Sequence, residues 1–397
     1  MKWEKVKLSE VTEYITDGDH QPAPKSDSGV LFVKIKDIQD NRLTFDNALF
    51  VPQEYYNRLP KNRKAEYGDT LYTVVGSYGI PAFVNHNIPF CFERNIALLH
   101  PNNRVIPKYL YYAVNNPIFY GNANNIANGS AQKLIPLSKL AGMEISVPPI
   151  ERQETIVNIL SAYDDLIENN QTQIKLLEEA AQRLYKEWFI DLRFPGHENV
   201  KIVDGVPEGW ERMVLSEVTS ILKRGISPKY SDNGKYSVIN QKCIRSSIMD
   251  ISESRRQEKE YAPTLNLQDS DTVICSTGTG TLGRVGRVYG DYPNTTFDSH
   301  VTLVRAKENP NYIYHVVKSQ QEYLMGMGRG STNQQELYRD VIERLVVLCP
   351  SQDILLKADR VLNAIHCKIK AVYLQNNLLV ESRDRLLPKL MNGELEV

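Results

Sequence analysis

Glycines, histidines and cysteines are the residues here whose types and spacing could do chemistry. Gly278-Thr279-Gly280-Thr281-Leu282-Gly283 follows a strand-like run with the glycine spacing of a dinucleotide or S-adenosylmethionine turn. Such a turn must open a helix whose N-terminus faces the ligand. The residues from Arg284 to Tyr289 read as another strand, so close backbone approach to a ligand such as DNA is the expected use of these glycines. The seven histidines are dispersed without metal-ligand spacing. Five cysteines (Cys91, Cys243, Cys275, Cys349, Cys367) are scattered with no CxxC pair, which points to neither a disulfide framework nor a structural zinc site. A phosphate-binding lysine loop, HExxH and GxSxG are all missing.

Asn116-Pro117-Ile118-Phe119 approaches the Asn-Pro-Pro-aromatic tetrapeptide of amino-group DNA methyltransferases, with Ile118 in place of the second proline. A helix-ending turn is the simpler reading, because the residue before proline is driven from the helical region. On these residues the chain is expected to catalyse nothing. A stand-alone adenine methyltransferase using Asn116 and the 278–283 glycines, and a purely structural coiled-coil scaffold, are the alternatives. Apolar residues make up 42% and charged residues 24%, which excludes a largely disordered chain. No apolar run approaches the ~18–20 residues of a membrane span, and the N-terminus lacks a secretory core, so a soluble cytoplasmic protein is expected. Net charge is −1, but 151–191 holds four basic against nine acidic residues. Nucleic-acid contact would therefore come from local basic patches elsewhere.

The elements that must position these residues come in duplicate. The ten residues Trp3–Thr12 return as Trp210–Thr219, displaced by 207 with seven identities. The echo continues in order through Asp69-Thr70 and Asp271-Thr272, Gly76 and Gly278, Phe92 and Phe297, Pro107-x-Tyr109 and Pro310-x-Tyr312, and Gly129-Ser130 and Gly330-Ser331. Residues 30–38, 69–75 and 93–99 read as strands in the first half; 235–244, 271–277 and 300–306 do so in the second. Residues 107–116 and 310–324 read as helices opened by proline. Each half is expected to be a mixed α/β domain with a curved sheet.

Both halves then run into a heptad seam. The first is Ile156, Leu160, Tyr163, Ile167, Asn170, Ile174, Leu177, Ala181, Leu184 and Trp188, with spacings alternating four and three. At a displacement of 202 it recurs as Ala358, Leu362, Ile365, Ile369, Val372, Asn376, Leu379, Arg383, Leu386 and Leu390, although Pro388 is expected to break the helix before Leu390. Such spacing winds a helix onto a partner helix; two amphipathic helices packed each on its own domain is the other reading. Helix one leaves the first half and helix two must return along it, so the pair is expected to be antiparallel, a strut of ~50 Å from Ile156 to Trp188 holding the halves apart. Asn170 and Asn376 would be buried amides that fix register, or wet ones in a splayed coil.

The WE-x(3)-LSEVT openings, the Gly129–Leu134 and Gly330–Gln334 loops, VPPIERQ (147–153), AQRLYKEWFIDLRFPG (181–196) and LLPKLMNGEL (386–395) resemble, in that order, the specificity subunit of type I restriction–modification enzymes. The resemblance covers essentially the whole chain. It implies an internal tandem repeat with pseudo-two-fold arrangement: a target-recognition domain at 1–149, a long spacer helix at 150–191, a second target-recognition domain at 192–350 beginning with a linker at 192–209, and a second spacer helix at 351–397. It further implies a non-catalytic subunit whose two domains read the halves of an asymmetric bipartite site on double-stranded DNA. The helices would set the spacer and dock two modification subunits, which restriction subunits join. S-adenosylmethionine and ATP would sit on those partners, with no cofactor or metal on this chain.

Under that reading polar residues at strand ends and in glycine-flanked loops become candidate DNA contacts. Asn and Gln pair with adenine, and Lys and Arg with guanine or phosphate. In the first half they are His20, Gln21, Lys34, Lys36, Ser77, Tyr78, Ser130, Gln132 and Lys133. In the second they are Lys229, Asn240, Gln241, Lys242, Thr279, Arg284, Arg329, Ser331, Asn333 and Gln334. Each also reads as a solvated surface residue. Glu168, Gln171, Lys175, Glu178 and Gln182, off the seam of helix one, would line the platform for the modification subunits.

Overall fold

A computed structural model of the chain describes residues 3–46, 48–129, 133–278, 280–330 and 335–397. The chain divides into two compact units, Met1–Glu168 with Asn377–Val397, and Asn169–Asn376. Each unit therefore takes one end of both long helices, a division that differs from the domain-and-helix order of the sequence.

The first unit opens with Glu4–Lys7, paired antiparallel with Glu144–Val147. A four-stranded antiparallel sheet follows, in the order Thr12–Asp17, Ile96–Pro101, Thr70–Thr73 and Pro81–Phe83. Beside it Val30–Val33 lies between Leu49–Val51, antiparallel, and Phe90–Phe92, parallel. The second unit repeats every one of these pairings. Glu211–Val214 pairs with Val346–Cys349; Thr219–Arg224, Val301–Ala306, Thr272–Cys275 and Val285–Arg287 form its four-stranded sheet; Tyr236–Ile239 lies between Arg255–Gln257 and Thr295–Phe297. The mixed α/β fold and its duplication are thus as the sequence predicts.

The repeated Asp-Thr dipeptides are structural. Asp69 and Asp271 are buried, and each accepts a backbone N–H from the turn before its strand: Glu66 N at 2.7 Å and Gln268 N at 2.8 Å. Each also has a side-chain partner on the neighbouring strand, Asp69 the His100 ring nitrogen at 2.6 Å and Asp271 the Arg305 guanidinium at 2.7 Å. A buried carboxylate persists only with such partners.

The first long helix spans Ile150–Tyr185 and ends in a π turn, Lys186–Ile190; the second spans Gln352–Met391. Every residue of both predicted seams is buried or half-buried. In the first unit, Ile156 and Leu160 near the start of helix one share a core with Leu387, Leu390 and Met391 at the end of helix two. In the second, Ile174 and Leu177 pack with Ile365, Ile369 and Tyr373, while Tyr185 shares a cluster with Ile354 and Ala358. Early residues of one helix meet late residues of the other in both units, which is antiparallel pairing.

Three sequence expectations are corrected. Pro388 does not stop helix two, because it stands in the final turn, where a missing N–H removes a single bond, and the burial of Leu387, Leu390 and Met391 holds that turn in place. The predicted 310–324 helix is two, Pro310–Ser319 and Gln321–Gly326; at the break the Ser319 hydroxyl and the Gln320 amide both donate to the Val316 carbonyl, competing with the backbone ladder. Glu178 is not a free platform residue: it is half-buried, burial raises its carboxyl above the usual range, and it faces Lys318 and Ser247. Glu168, Gln171, Lys175 and Gln182 are exposed.

Candidate nucleic-acid interface

In each half the chain leaves the first strand of the four-stranded sheet and crosses against the end of the parallel strand pair. The crossing residue is glycine both times. A Cβ on Gly18 would lie 2.0 Å from the Phe92 carbonyl oxygen, and one on Gly225 would lie 2.2 Å from those of Phe297 and Asp298. Side chains before and after the crossing are thereby fixed against one tight turn: Glu93–Asn95 in the first half and Asp298–His300 in the second.

In the first half this crossing lines a groove of ≈ 340 Å³. His20, Gln21 and Lys34, all predicted contacts, share it. His20 and Gln21 are exposed, and His20 leans on Asp17 at 3.0 Å. Asp19 is engaged by Arg63 at 3.2 Å and by the Tyr55 hydroxyl, which donates at 3.0 Å; burial, then this bond, keeps the phenol protonated. Lys36 stands on the adjoining 3-10 turn with its ammonium 3.7 Å from Asp37.

Ser77, Tyr78 and Lys133 come together on a separate surface. The Gly76 N–H donates to the Lys133 carbonyl at 3.0 Å, which closes the loop. Tyr78 stacks on Tyr120 with centroids 6.2 Å apart and donates its hydroxyl to Asn124; Lys133 Nζ lies over the Tyr78 ring and donates to the same Asn124 oxygen at 3.1 Å. An aromatic pair with Tyr120 exposed and Tyr78 half-buried, beside a cation, suits an unstacked base or a phosphate. Ser130 and Gln132 lie outside the described residues, as do Thr279, Ser331, Asn333 and Gln334 in the second half.

The second half answers differently at equivalent positions. Asn240 matches Lys34 as the residue before the 3-10 turn, but it is buried and its side-chain oxygen accepts the Lys242 N–H at 2.8 Å. It caps a turn and is not offered to a ligand, contrary to expectation. Lys229 is tied to Glu258 at 2.9 Å, and this hydrogen bond holds the Glu258 carboxyl below its usual range. Gln241 is half-buried beside Gly278, Lys242 is exposed, Arg284 is half-buried on the glycine loop, and Arg329 lies over the Tyr338 ring.

Thr272–Cys275 pairs antiparallel with Val285–Arg287 as a hairpin, and among the described residues between these strands no helix opens. The close approach that Gly283 permits is to the backbone of Leu324 and Met325, 2.6 Å from a notional Cβ, rather than to a ligand as predicted. Asn116 caps Pro117–Ile126, accepting the Ile118 N–H at 3.0 Å.

The sequence matches the family described as the type I restriction modification DNA specificity domain over residues 1–179 and 207–354. The chain belongs to this family. Among its relatives, the specificity subunit of the type I restriction enzyme MjaIX of Methanocaldococcus jannaschii is 29% identical over 324 residues, covering 78% of this chain and 74% of that one. The HindI specificity subunit of Haemophilus influenzae is 22% identical over 448 residues, covering 92% and 94%. The crystal structure of the type I restriction–modification S subunit from M. genitalium shares the fold, with a TM-score of 0.58 at 17% identity over 98% of this chain and 96% of that one.

Sequence reasoning passed over Arg94 and Asn95, which line the first groove, and Arg255 and Arg256, exposed on the edge strand of the second half where the first carries Leu49 and Phe50. Aligning Glu93-Arg94-Asn95 with Asp298-Ser299-His300 across the repeat is the signal that finds the first pair.

Proposed function

We propose that the chain is a non-catalytic, cytoplasmic DNA-specificity subunit of a type I restriction–modification complex. Each half reads one half-site of an asymmetric bipartite sequence in double-stranded DNA. The paired helices set the spacer and dock two modification subunits, which carry S-adenosylmethionine and are joined by ATP-using restriction subunits. One observation carries this reading: a strand-for-strand duplicated fold in which equivalent crossings present different side chains, Lys34 against a buried Asn240 and Arg94 against Ser299. Shared scaffolds with unlike readers call for unlike half-sites. Two uninterrupted helices of 36 and 40 residues support the spacer role.

Methylome sequencing of cells carrying this chain with its cognate modification subunit tests it. A two-part motif with an unread spacer is expected; scattered or single-part methylation overturns the reading. Inserting four residues into helix one, about 6 Å, should lengthen the spacer by roughly two base pairs, and a methylated motif with its original spacing removes the ruler role. Methyl transfer by the purified chain alone would argue for the methyltransferase alternative, against which Asn116 is already occupied as a helix cap.

A further inference from the structure

We propose that Arg94 reads a guanine of the half-site bound by the first half, with Lys25 and Lys34 beside it on DNA phosphates; this rests on the DNA-specificity reading and deepens it. The groove of ≈ 340 Å³ at the Gly18 crossing holds two acids and three cations whose situations differ. Asp19 is held by Arg63 and Tyr55, and Glu93 accepts the Ile35 N–H at 2.8 Å. Lys25, Lys34 and Arg94 make no ion pair among the described residues. Asp19 is thus paired within the protein and Glu93 is anchored on the backbone, while the three cations on the groove outnumber the one acid left without a cationic partner.

Arg94 is mounted rigidly at its backbone and free at its side chain. The Glu93 N–H donates to the Val33 carbonyl at 3.0 Å, the Ile96 N–H to the Glu93 carbonyl at 3.1 Å, and the Val74 N–H to the Asn95 carbonyl at 2.9 Å. The Gly18 crossing closes the remaining side. Arg94 itself is exposed, with the Gln21 and Asn95 amides on the same groove. A planar fork of donors on a fixed base matches the O6 and N7 acceptors of guanine, and neighbouring amides match base edges better than phosphate. Lysine ammoniums on flexible stems suit the sequence-independent backbone contacts. Ser299 stands at the equivalent place in the second half, so this contact belongs to one half-site only.

The test is methylation of a randomised duplex library by the complex of this chain with its modification subunit, read by sequencing, for the wild type and for R94A, R94Q and K25A. In the wild type one position of one half-site should be guanine. R94A should lower discrimination at that position roughly 10- to 100-fold and leave the other half-site intact. R94Q should move the preference towards adenine, and it decides the matter should R94A fail to assemble. K25A should keep the motif while weakening binding to all duplexes alike, with a salt slope smaller by about one. Guanine retained in R94A or R94Q overturns the proposal while the specificity reading stands; a wild type without a two-part motif overturns that reading.

Discussion

Tyr112 and His315 occupy the same place in the two halves, on the helices Pro107–Val114 and Pro310–Ser319 that face a long helix, yet the joints they make are chemically opposite. In the first unit the Tyr112 hydroxyl donates to Asp164 on helix one at 2.6 Å, and Asp164 pairs with Arg383 on helix two at 2.9 Å. In the second, His315 meets His366, the repeat counterpart of Asp164, with the two Nε2 atoms 3.0 Å apart, and Tyr289 lies 2.8 Å from the other nitrogen of His366. Burial lowers both imidazoles far below their usual range, His315 to about 3, and nearby Arg287 adds to the effect. One joint needs charge and the other forbids it. The duplicated backbone fixes where helix and domain meet; it leaves the chemistry of the meeting free to differ, as it does at the reading crossings.

Replacing Asp164 should expose this difference most strongly. D164A leaves the Arg383 guanidinium and the Tyr112 hydroxyl partly buried without their shared partner, a loss expected to be about 3 kcal/mol. Amide hydrogen exchange reports the two units separately. Faster exchange is expected in Thr12–Asp17 and not in Thr219–Arg224; equal acceleration in both would mean that the joints are not independent.

Acid should act on the other unit. A histidine with its native pKa depressed contributes stability that is complete above the unfolded value near 6.5 and declines below it, by about 1.4 kcal/mol per pH unit for each ring. Between pH 7 and pH 5.5 the pair should lose about 2.5 kcal/mol, seen as faster exchange in Thr219–Arg224. H366Q should flatten that pH dependence by roughly half. An unchanged slope would place the proton uptake elsewhere.

At the glycine crossings the halves should instead agree. G18A and G225A each drive a methyl group into carbonyl oxygens of the neighbouring turn, and each is expected to cost about 2 kcal/mol in its own unit. Thermal melts and exchange of the two variants check this, and a large effect in only one half would mean that the other crossing yields by shifting its backbone.

Periodic and repeated features were the legible ones. The seams show in the sequence because residues spaced four and three apart must share one helix face, and the Asp-Thr echoes show because each buried carboxylate keeps a partner. What escaped was decided by contacts distant in the chain. Nothing local distinguishes Asn240 as a cap from Asn240 as a reader, and the burial of Leu390 that overrides Pro388 comes from the opposite end of the sequence. Arg94 was missed for a related reason: its freedom is visible only once Asp19 and Glu93 are seen to be occupied.

The smallest expected effect concerns the seam itself. Asn170 is 5% exposed, and its amide nitrogen finds no hydrogen-bond partner among the described residues; Asn376, at the matching seam position, is buried too. An apolar side chain of similar size would remove the cost of desolvating that amide, so N170L should stabilise the second unit by about 1 kcal/mol, seen as slower exchange along residues 169–185. A polar seam residue resists sliding between helices, so the same variant should loosen register while it gains stability. Crosslinking between cysteines placed at positions 174 and 369, where Ile174 and Ile369 share one cluster, reads register directly. A variant that is both more stable and equally strict in its crosslinks would assign register to the apolar seam alone, and a less stable one would show that the amide is already satisfied in solution.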